Sequence, residues 1–456
     1  MIKQKLGFWS IVLLAINSII GSGIFLTPGA VVTMVGEKAP LAYLGAALLA
    51  AALAITFAVA AKYVTKAGSA YAYAKAAFGP RFGFYMGVVR YFSAAVAWGV
   101  MAVSVVKSTL AIFGNTAPSF ATVSLGFVIL MAIITLINLG GERLFAWINN
   151  LATVGKVGAL VLLIVAGAVV LVHSGQNHFS EIASLKAANG SALIPPVTTA
   201  SFVMAMATAF YAFTGFESVA SGSADMQEPE RNLPRAIPLA ILLIALVYIG
   251  TIAIAMMVNP AALVTTKQVV ALVAIFNNSL LRGLILIGAL VSMFGINVAA
   301  SFNTPRILEA MAKEGQVPQW LAARNRRDLP VTAYAITVVL AILIPMAFNY
   351  SVTSIILLSA MVRFFEFAII PVAVIMFYYH KTTEPVLDAN RNWLTDVLIP
   401  ALSMAVTILL LALYDWQGEF TLNGQVNWYA ISGLIVGFVI LPAALAFFTR
   451  RERAAH

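Results

Sequence analysis

Runs of about twenty apolar residues recur from one end of this chain to the other, and that recurrence narrows its folds more than any other feature. A bilayer core about 30 Å thick is crossed by about 20 apolar residues in an α-helix, at 1.5 Å per residue. Twelve such runs fall at roughly 8–35, 40–63, 82–112, 121–139, 147–172, 197–222, 235–258, 283–312, 330–348, 352–379, 394–414 and 427–449. Hydrophobic residues make up 62% of the sequence and charged residues 10%, and the mean hydropathy of +0.96 is far from that of a soluble domain. In lipid each backbone polar group needs a partner within the protein, which helices provide. The expected class is therefore an all-α integral membrane protein with twelve transmembrane helices. The first run is too long, and wrongly flanked, for a cleavable signal peptide, so it reads as a retained helix.

The net charge of +10 reflects topology better than nucleic-acid binding. Lys3, Lys5, Lys62, Lys66, Lys75, Arg81, Arg143, Arg231, Arg235, Arg306, Lys313, Arg324, Arg326, Arg327, Lys381, Arg391, Arg450, Arg451 and Arg453 fall on one side of the twelve runs. Lys38, Lys186, Lys267 and Arg282 fall on the other. Nineteen against four predicts both termini in the cytoplasm of a multi-pass plasma (inner) membrane protein. The polar stretches His173–Pro196 and Asp415–Asn427 then lie outside, as does Asn259–Leu281, whose short helix could cap a cavity.

Several function classes fall away. There is no cysteine, so thiolate metal sites and a cysteine nucleophile are excluded. The four histidines, His173, His178, His380 and His456, are not grouped with carboxylates inside the runs, which argues against a metal and against an enzyme. No Walker-type or dinucleotide motif occurs, and no short filter loop of the channel kind. No cofactor, nucleic-acid partner or obligatory protein partner is expected.

Inside the first run stands Gly21-Ser22-Gly23. Each glycine costs a helix about 1 kcal/mol relative to alanine. Two readings are open: a close helix–helix contact through small residues, or an opened helix whose Ser22, Gly23 and Ile24 amides offer an anion site. The sixth run has a second break at Thr214-Gly215, followed by Glu217 and Ser221-Gly222-Ser223. Interrupted helices at matching places in two halves point to an inverted-repeat transporter with its site at the midplane. The halves are 1–172 and 197–379, with 394–449 appended as two further helices. Amides from one break and carbonyls from the other suit the carboxylate and ammonium of an α-amino acid.

Four motifs carry a family resemblance: Gly21-Ser22-Gly23-Ile24-Phe25; Phe213-Thr214-Gly215-Phe216-Glu217-Ser218; Glu228-Pro229-Glu230-Arg231-Asn232-Leu233-Pro234-Arg235; and Pro305-Arg306-Ile307-Leu308 running to Lys313-Glu314-Gly315 and Pro318. In that order they resemble the amino acid–polyamine–organocation (APC) family of amino-acid permeases. The resemblance implies a five-plus-five inverted repeat of the LeuT/APC type, with helices 1 and 6 discontinuous and transport by alternating access without ATP. It also implies that Ile19, Ser22 and Gly23 meet the substrate carboxylate. Tyr211, Ala212 and Thr214 would hold the amino group and place an aromatic gate. The markers of substrate subtype on helices three, eight and ten do not align, which leaves the side-chain class open.

Ionisable residues within spans are costly and mark function by default. Lys156 in the fifth run could bridge to the broken first helix and couple transport to protons, with no sodium requirement; the resemblance supports this, since proton-coupled and exchanger branches similar to this chain carry a lysine on helix five. The alternative is a lysine snorkelling to the interface. Glu217 reads as a gate or a structurally satisfied carboxyl. Arg363 and Glu366, three apart, are a candidate intramembrane pair. Arg90 and Lys107 would favour an anionic substrate side chain if they face a cavity. Phe210, Tyr211, Phe213 and Phe216 crowd the second break, with Tyr211 and Phe213 as gating candidates. The expected function is secondary active transport of an amino acid, by proton-coupled uptake, with obligatory exchange or a transport-inactive sensor as alternatives.

Overall fold

The computed structural model describes residues 6–66, 68–115, 117–140, 142–187, 189–220, 226–266, 270–326, 329–414, 416–422 and 424–455. Lys3, Lys5, Ser221, Gly222, Ser223, Lys267, Arg327, Asp415 and His456 lie outside the described residues.

The first apolar run is divided into α1 (Phe8–Ile19), α2 (Gly23–Leu26) and α3 (Pro28–Val35). Next come α4 (Ala39–Tyr63), α5 (Ala70–Phe78), α6 (Pro80–Ile112), α7 (Phe120–Leu139) and α8 (Glu142–Ser174). The sixth run is divided as well, into α9 (Thr199–Tyr211) and α10 (Phe216–Ala220). The chain continues through α11 (Pro229–Val258), α12 (Pro260–Thr265), α13 (Ser279–Lys313), α14 (Val331–Ala347) and α15 (Val352–Tyr378). It ends with α16 (Ile399–Leu413), α17 (Trp416–Glu419), a two-residue hairpin of β1 (Thr421–Leu422) with β2 (Gln425–Val426), α18 (Trp428–Ile435) and α19 (Leu441–Ala455). Among the described residues ten helical stretches are long and apolar enough to cross a membrane, and α14 is a shorter apolar helix.

Local chemistry accounts for several helix starts. Prolines open α3, α4, α6, α11 and α12, where the missing N–H is no loss. Thr198 and Ser201 form a capping box at the start of α9, and Asn278 caps α13 through two backbone amides. α11 starts six residues before the expected span, because Pro229 at its first turn tolerates the helix and Glu230 follows on its positive end. The segment 64–81 reads as a basic loop in sequence. Instead it contains α5, whose Tyr71 and Tyr73 are buried against α6 and α15.

Two packed groups flank the site. α4 lies along α11 and α9, and α11 also packs on α1. On the other side α13 packs against α8 and α6, with α14 against α6. The α8–α13 contact runs on small residues: a Cβ built on Gly288 would stand 2.2 Å from Ala159 Cβ, and one on Gly295 2.2 Å from Ala152 Cβ. Backbones that close bring the middle of α8, where Lys156 sits, against the break in the first run.

Candidate functional site

α1 stops at Ile19 because Ile20 leaves helical angles, at φ −69° and ψ 101°. The helix restarts at Gly23, and Thr27 keeps αR angles, so residues 23–35 run on as one half-helix through α2 and α3. The Phe25 and Leu26 amides donate to Ser22 O, and the Thr27 amide donates to Gly23 O. Among the described hydrogen bonds the amides of Gly21, Ser22, Gly23 and Ile24 donate to nothing, as the first N–H groups of a helix do.

The second break turns on Gly215, whose φ of +119° is a conformation that L side chains rarely adopt. Its amide donates to Glu217 Oε2 at 2.8 Å, so the carboxylate bonds backbone that the break has freed. Thr214 Oγ1 donates to Tyr211 O at 2.8 Å, and Tyr248 OH donates to Ala212 O at 3.2 Å. The two breaks touch. A Cβ on Gly23 would lie 2.4 Å from Ala212 Cα, and one on Gly215 would lie 2.2 Å from Ser18 O. Both readings of the first break therefore hold together: the small residues permit a close contact, and the helix is open there.

A cavity of about 580 Å³ begins at this junction. Ile19, Ser22, Gly23, Tyr211, Ala212, Thr214 and Glu217 all line it. Ile24 and Phe213 do not; both are fully buried, and Phe213 packs its ring 5.0 Å from Tyr248. Of the four aromatics near the second break, Tyr211 faces the cavity, while Phe210 and Phe216 pack on Phe367. The cavity extends past Asn303 and Arg306 to Glu309 and Lys313, whose side chain is 57% exposed, at the end of the helices that bears the basic loops.

Lys156 does not snorkel. It is 1% exposed, and its Nζ donates to Asn17 O at 2.6 Å and to Ile20 O at 2.7 Å, bonding one carbonyl in the last turn of α1 and one just past its end. Ser292 Oγ on α13 donates to Gly21 O at 3.1 Å and completes the cover of the break.

Among the described ion pairs, Arg363 and Glu366 are not each other's partners. Arg363 Nη1 lies 3.3 Å from Glu217 Oε1, while Arg90 Nη1 lies 3.4 Å from both Glu217 Oε1 and Glu366 Oε2. Their spacing on α15 is right for a pair, but α6 and α10 supply closer charges of opposite sign. Arg90 and Arg363 line the cavity. Lys107 does not: its Nζ donates to Tyr350 O at 2.7 Å, in a turn where Asn349 and Tyr350 both have positive φ.

Three contributors escaped the sequence reading. Ser292 and Tyr248 carry one hydroxyl each in apolar runs, a pattern shared by many buried hydroxyls. The third is the Lys62–Asp396 pair at 2.7 Å, joined by Tyr63 OH, which donates to Asp396 Oδ2 at 2.7 Å.

The profile of the amino acid permease family matches residues 6–441. The chain belongs to this family. It is 38% identical to an uncharacterized transporter of Mycobacterium tuberculosis, over 96% of this chain and 94% of that protein. It is 27% identical to the branched-chain amino acid permease BcaP of Bacillus subtilis, over 96% of this chain and 93% of that one. With the serine/threonine exchanger SteT of Bacillus subtilis the identity is 26%, over 70% of each chain. Membership makes the chain a multi-pass membrane protein of a transporter family, in keeping with its helical architecture and apolar spans.

Proposed function

We propose that this chain is a secondary carrier for an α-amino acid, driven by protons. The observation that carries the reading is the meeting of two broken helices at the head of a cavity of about 580 Å³. In this reading the substrate carboxylate takes the unengaged amides of Ser22 and Gly23, with Ile24 extending the half-helix that presents them. The ammonium takes the carbonyl of Ala212, which accepts one described donor and keeps a second lone pair, beside that of Tyr211, which accepts the hydroxyl and the more distant amide of Thr214. Tyr211 closes over the bound molecule.

The twelve-span count, the five-plus-five inverted repeat and the cytoplasmic placing of both termini belong to the same proposal. With the basic loops inside, the cavity faces the cytoplasm, and the conformation is inward-facing. α1, α4, α9–α10 and α11 then move against α6, α7, α8, α13 and α14. Lys156 ties the two groups together at the break. Its ammonium would stand where a metal cation would otherwise be needed, so no sodium is required. Losing its proton would release Asn17 O and Ile20 O and free α1 to move.

Likeness to a protein named an exchanger favours a second reading, exchange of one amino acid for another. Uptake of labelled amino acids into proteoliposomes, empty and preloaded, with and without an inward proton gradient, separates the two. Uptake into empty vesicles that follows the gradient is expected. Uptake confined to preloaded vesicles would establish the exchanger, and silence throughout would leave a sensor on a carrier fold.

A further inference from the structure

We propose that the cavity selects an amino acid with an anionic side chain, and that Arg363 receives that carboxylate. The inference rests on the carrier reading and names its substrate class. Five basic side chains line the cavity, against two carboxylates. Near the mouth the charges are already engaged: Glu309 is bonded by Lys313 at 2.7 Å and by Arg324 Nη2 at 2.9 Å, and Arg306 donates to Phe302 O while lying over the Phe302 ring.

At membrane depth the balance differs. Arg90 and Arg363 face one lining carboxylate, Glu217, whose Oε2 is taken by the Gly215 amide and whose Oε1 is shared by both guanidinium groups. Arg90 has a second counter-charge behind it in Glu366. Arg363 has no second counter-charge within ion-pair distance among the described residues, Glu366 attracting it only from farther away. Its Nε and Nη1 are buried without a hydrogen-bond partner, Nη1 meeting Glu217 as a charge contact only. A guanidinium presents its donors as a planar fork that fits a carboxylate with two parallel bonds, and buried donors left unmade are costly. An incoming carboxylate supplies what Arg363 lacks.

Position agrees. Ser22, Tyr211 and Arg363 line the same cavity. A molecule whose α-carboxylate sits at Ser22 therefore occupies the cavity that also carries Arg363. A cationic side chain finds no such welcome, since Glu217 and Glu309 each already contact two cations. A neutral aliphatic side chain would leave the Arg363 fork buried and unsatisfied.

The test compares L-glutamate and L-aspartate with L-leucine and L-serine, by uptake into proteoliposomes preloaded with the same amino acid and by thermal shift of the purified protein. Preloading serves symport and exchange alike. The acidic pair is expected to stabilise the wild-type protein more and to show a KM lower by about tenfold or more, the ratio expected for about 1.4 kcal/mol of differential binding. Arg363→Gln should raise the KM for the acidic pair by about tenfold more than the KM for neutral amino acids; Arg363→Lys, which keeps the charge but not the fork, should fall between. A wild-type preference for leucine or serine overturns this proposal while leaving the carrier reading standing. Equal losses for acidic and neutral substrates in Arg363→Gln overturn the role of Arg363. If that variant does not fold, the wild-type thermal-shift ranking decides alone, and acidic ligands ranking no higher than neutral ones overturn the proposal. No shift and no uptake with any amino acid overturns both readings.

Discussion

Lys156 Nζ stands 2.6 Å from the carbonyl oxygen of Asn17, so one ammonium on α8 holds the last turn of α1 at the point where that helix opens. Replacing it with methionine keeps the aliphatic stem and removes both bonds to the break. Lys156→Met is expected to abolish the pH dependence of uptake and to lower the rate at neutral pH by tenfold or more, since two charge-assisted bonds at about 1.5–3 kcal/mol each are lost. An unchanged pH–uptake profile in proteoliposomes would remove Lys156 from the coupling role.

Gly215→Ala tests the contact between the two breaks. The new Cβ meets the Ser18 carbonyl at 2.2 Å, and φ of +119° is strained for alanine whatever the space. Strain of this kind costs about 1–3 kcal/mol before the clash is counted. The expected outcome is a lower melting temperature in detergent together with loss of substrate-induced stabilisation. Gly158→Ala on α8, where a Cβ meets nothing within 4 Å, is the control expected to change neither.

How much of this could be seen in the sequence depends on whether the signal is local. Gly21-Ser22-Gly23 stood out because glycine is expensive inside a helix, and Lys156 because a charge is expensive inside a membrane. Both are penalties that a single position announces. Partnerships are not local. Arg363 and Glu366 looked like a pair because helical spacing is the only geometry a sequence displays, whereas Arg90 and Glu217 reach the same place from other helices. α5 went unseen for a related reason: Ala70–Phe78 is nine residues long, between basic positions, and its stability comes from tyrosines packed on α6 and α15.

Asp396→Asn should be among the most destabilising single changes outside the cavity. It leaves Lys62, 8% exposed, without its carboxylate, and breaking a buried ion pair by removing one partner costs roughly 3–5 kcal/mol. The double variant Lys62→Met/Asp396→Leu, which removes both charges, is expected to recover most of that loss. Melting curves of the three variants against wild type check this; a double variant no better than Asp396→Asn would refute the pairing argument.

Glu314 gives a pH dependence with a definite sign. Burial works against its ionised form, but the ammonium of Lys75 and the hydroxyl of Tyr71, at 3.1 Å, outweigh it and hold the carboxyl below its ordinary range. A carboxyl depressed on folding stabilises above its unfolded value and loses that contribution as pH falls through the folded value. Wild type should therefore melt higher than Glu314→Gln at pH 7, and the difference should close as the pH drops below about 4. A gap that persists to lower pH would show that the glutamine variant is weakened by something other than charge.

The bond between Lys62 and Asp396 also sets an order of assembly. Its two ends are 334 residues apart, so the lysine is made, and its helix delivered to the bilayer, long before the aspartate exists. Until then Lys62 has to keep its ammonium at the lipid headgroups, because the bilayer interior offers it nothing. Arrival of Asp396 at the head of the eleventh expected span lets the lysine settle and ties α4 to the start of that span. A chain cut short before that point would carry Lys62 without the carboxylate that neutralises it in the finished fold.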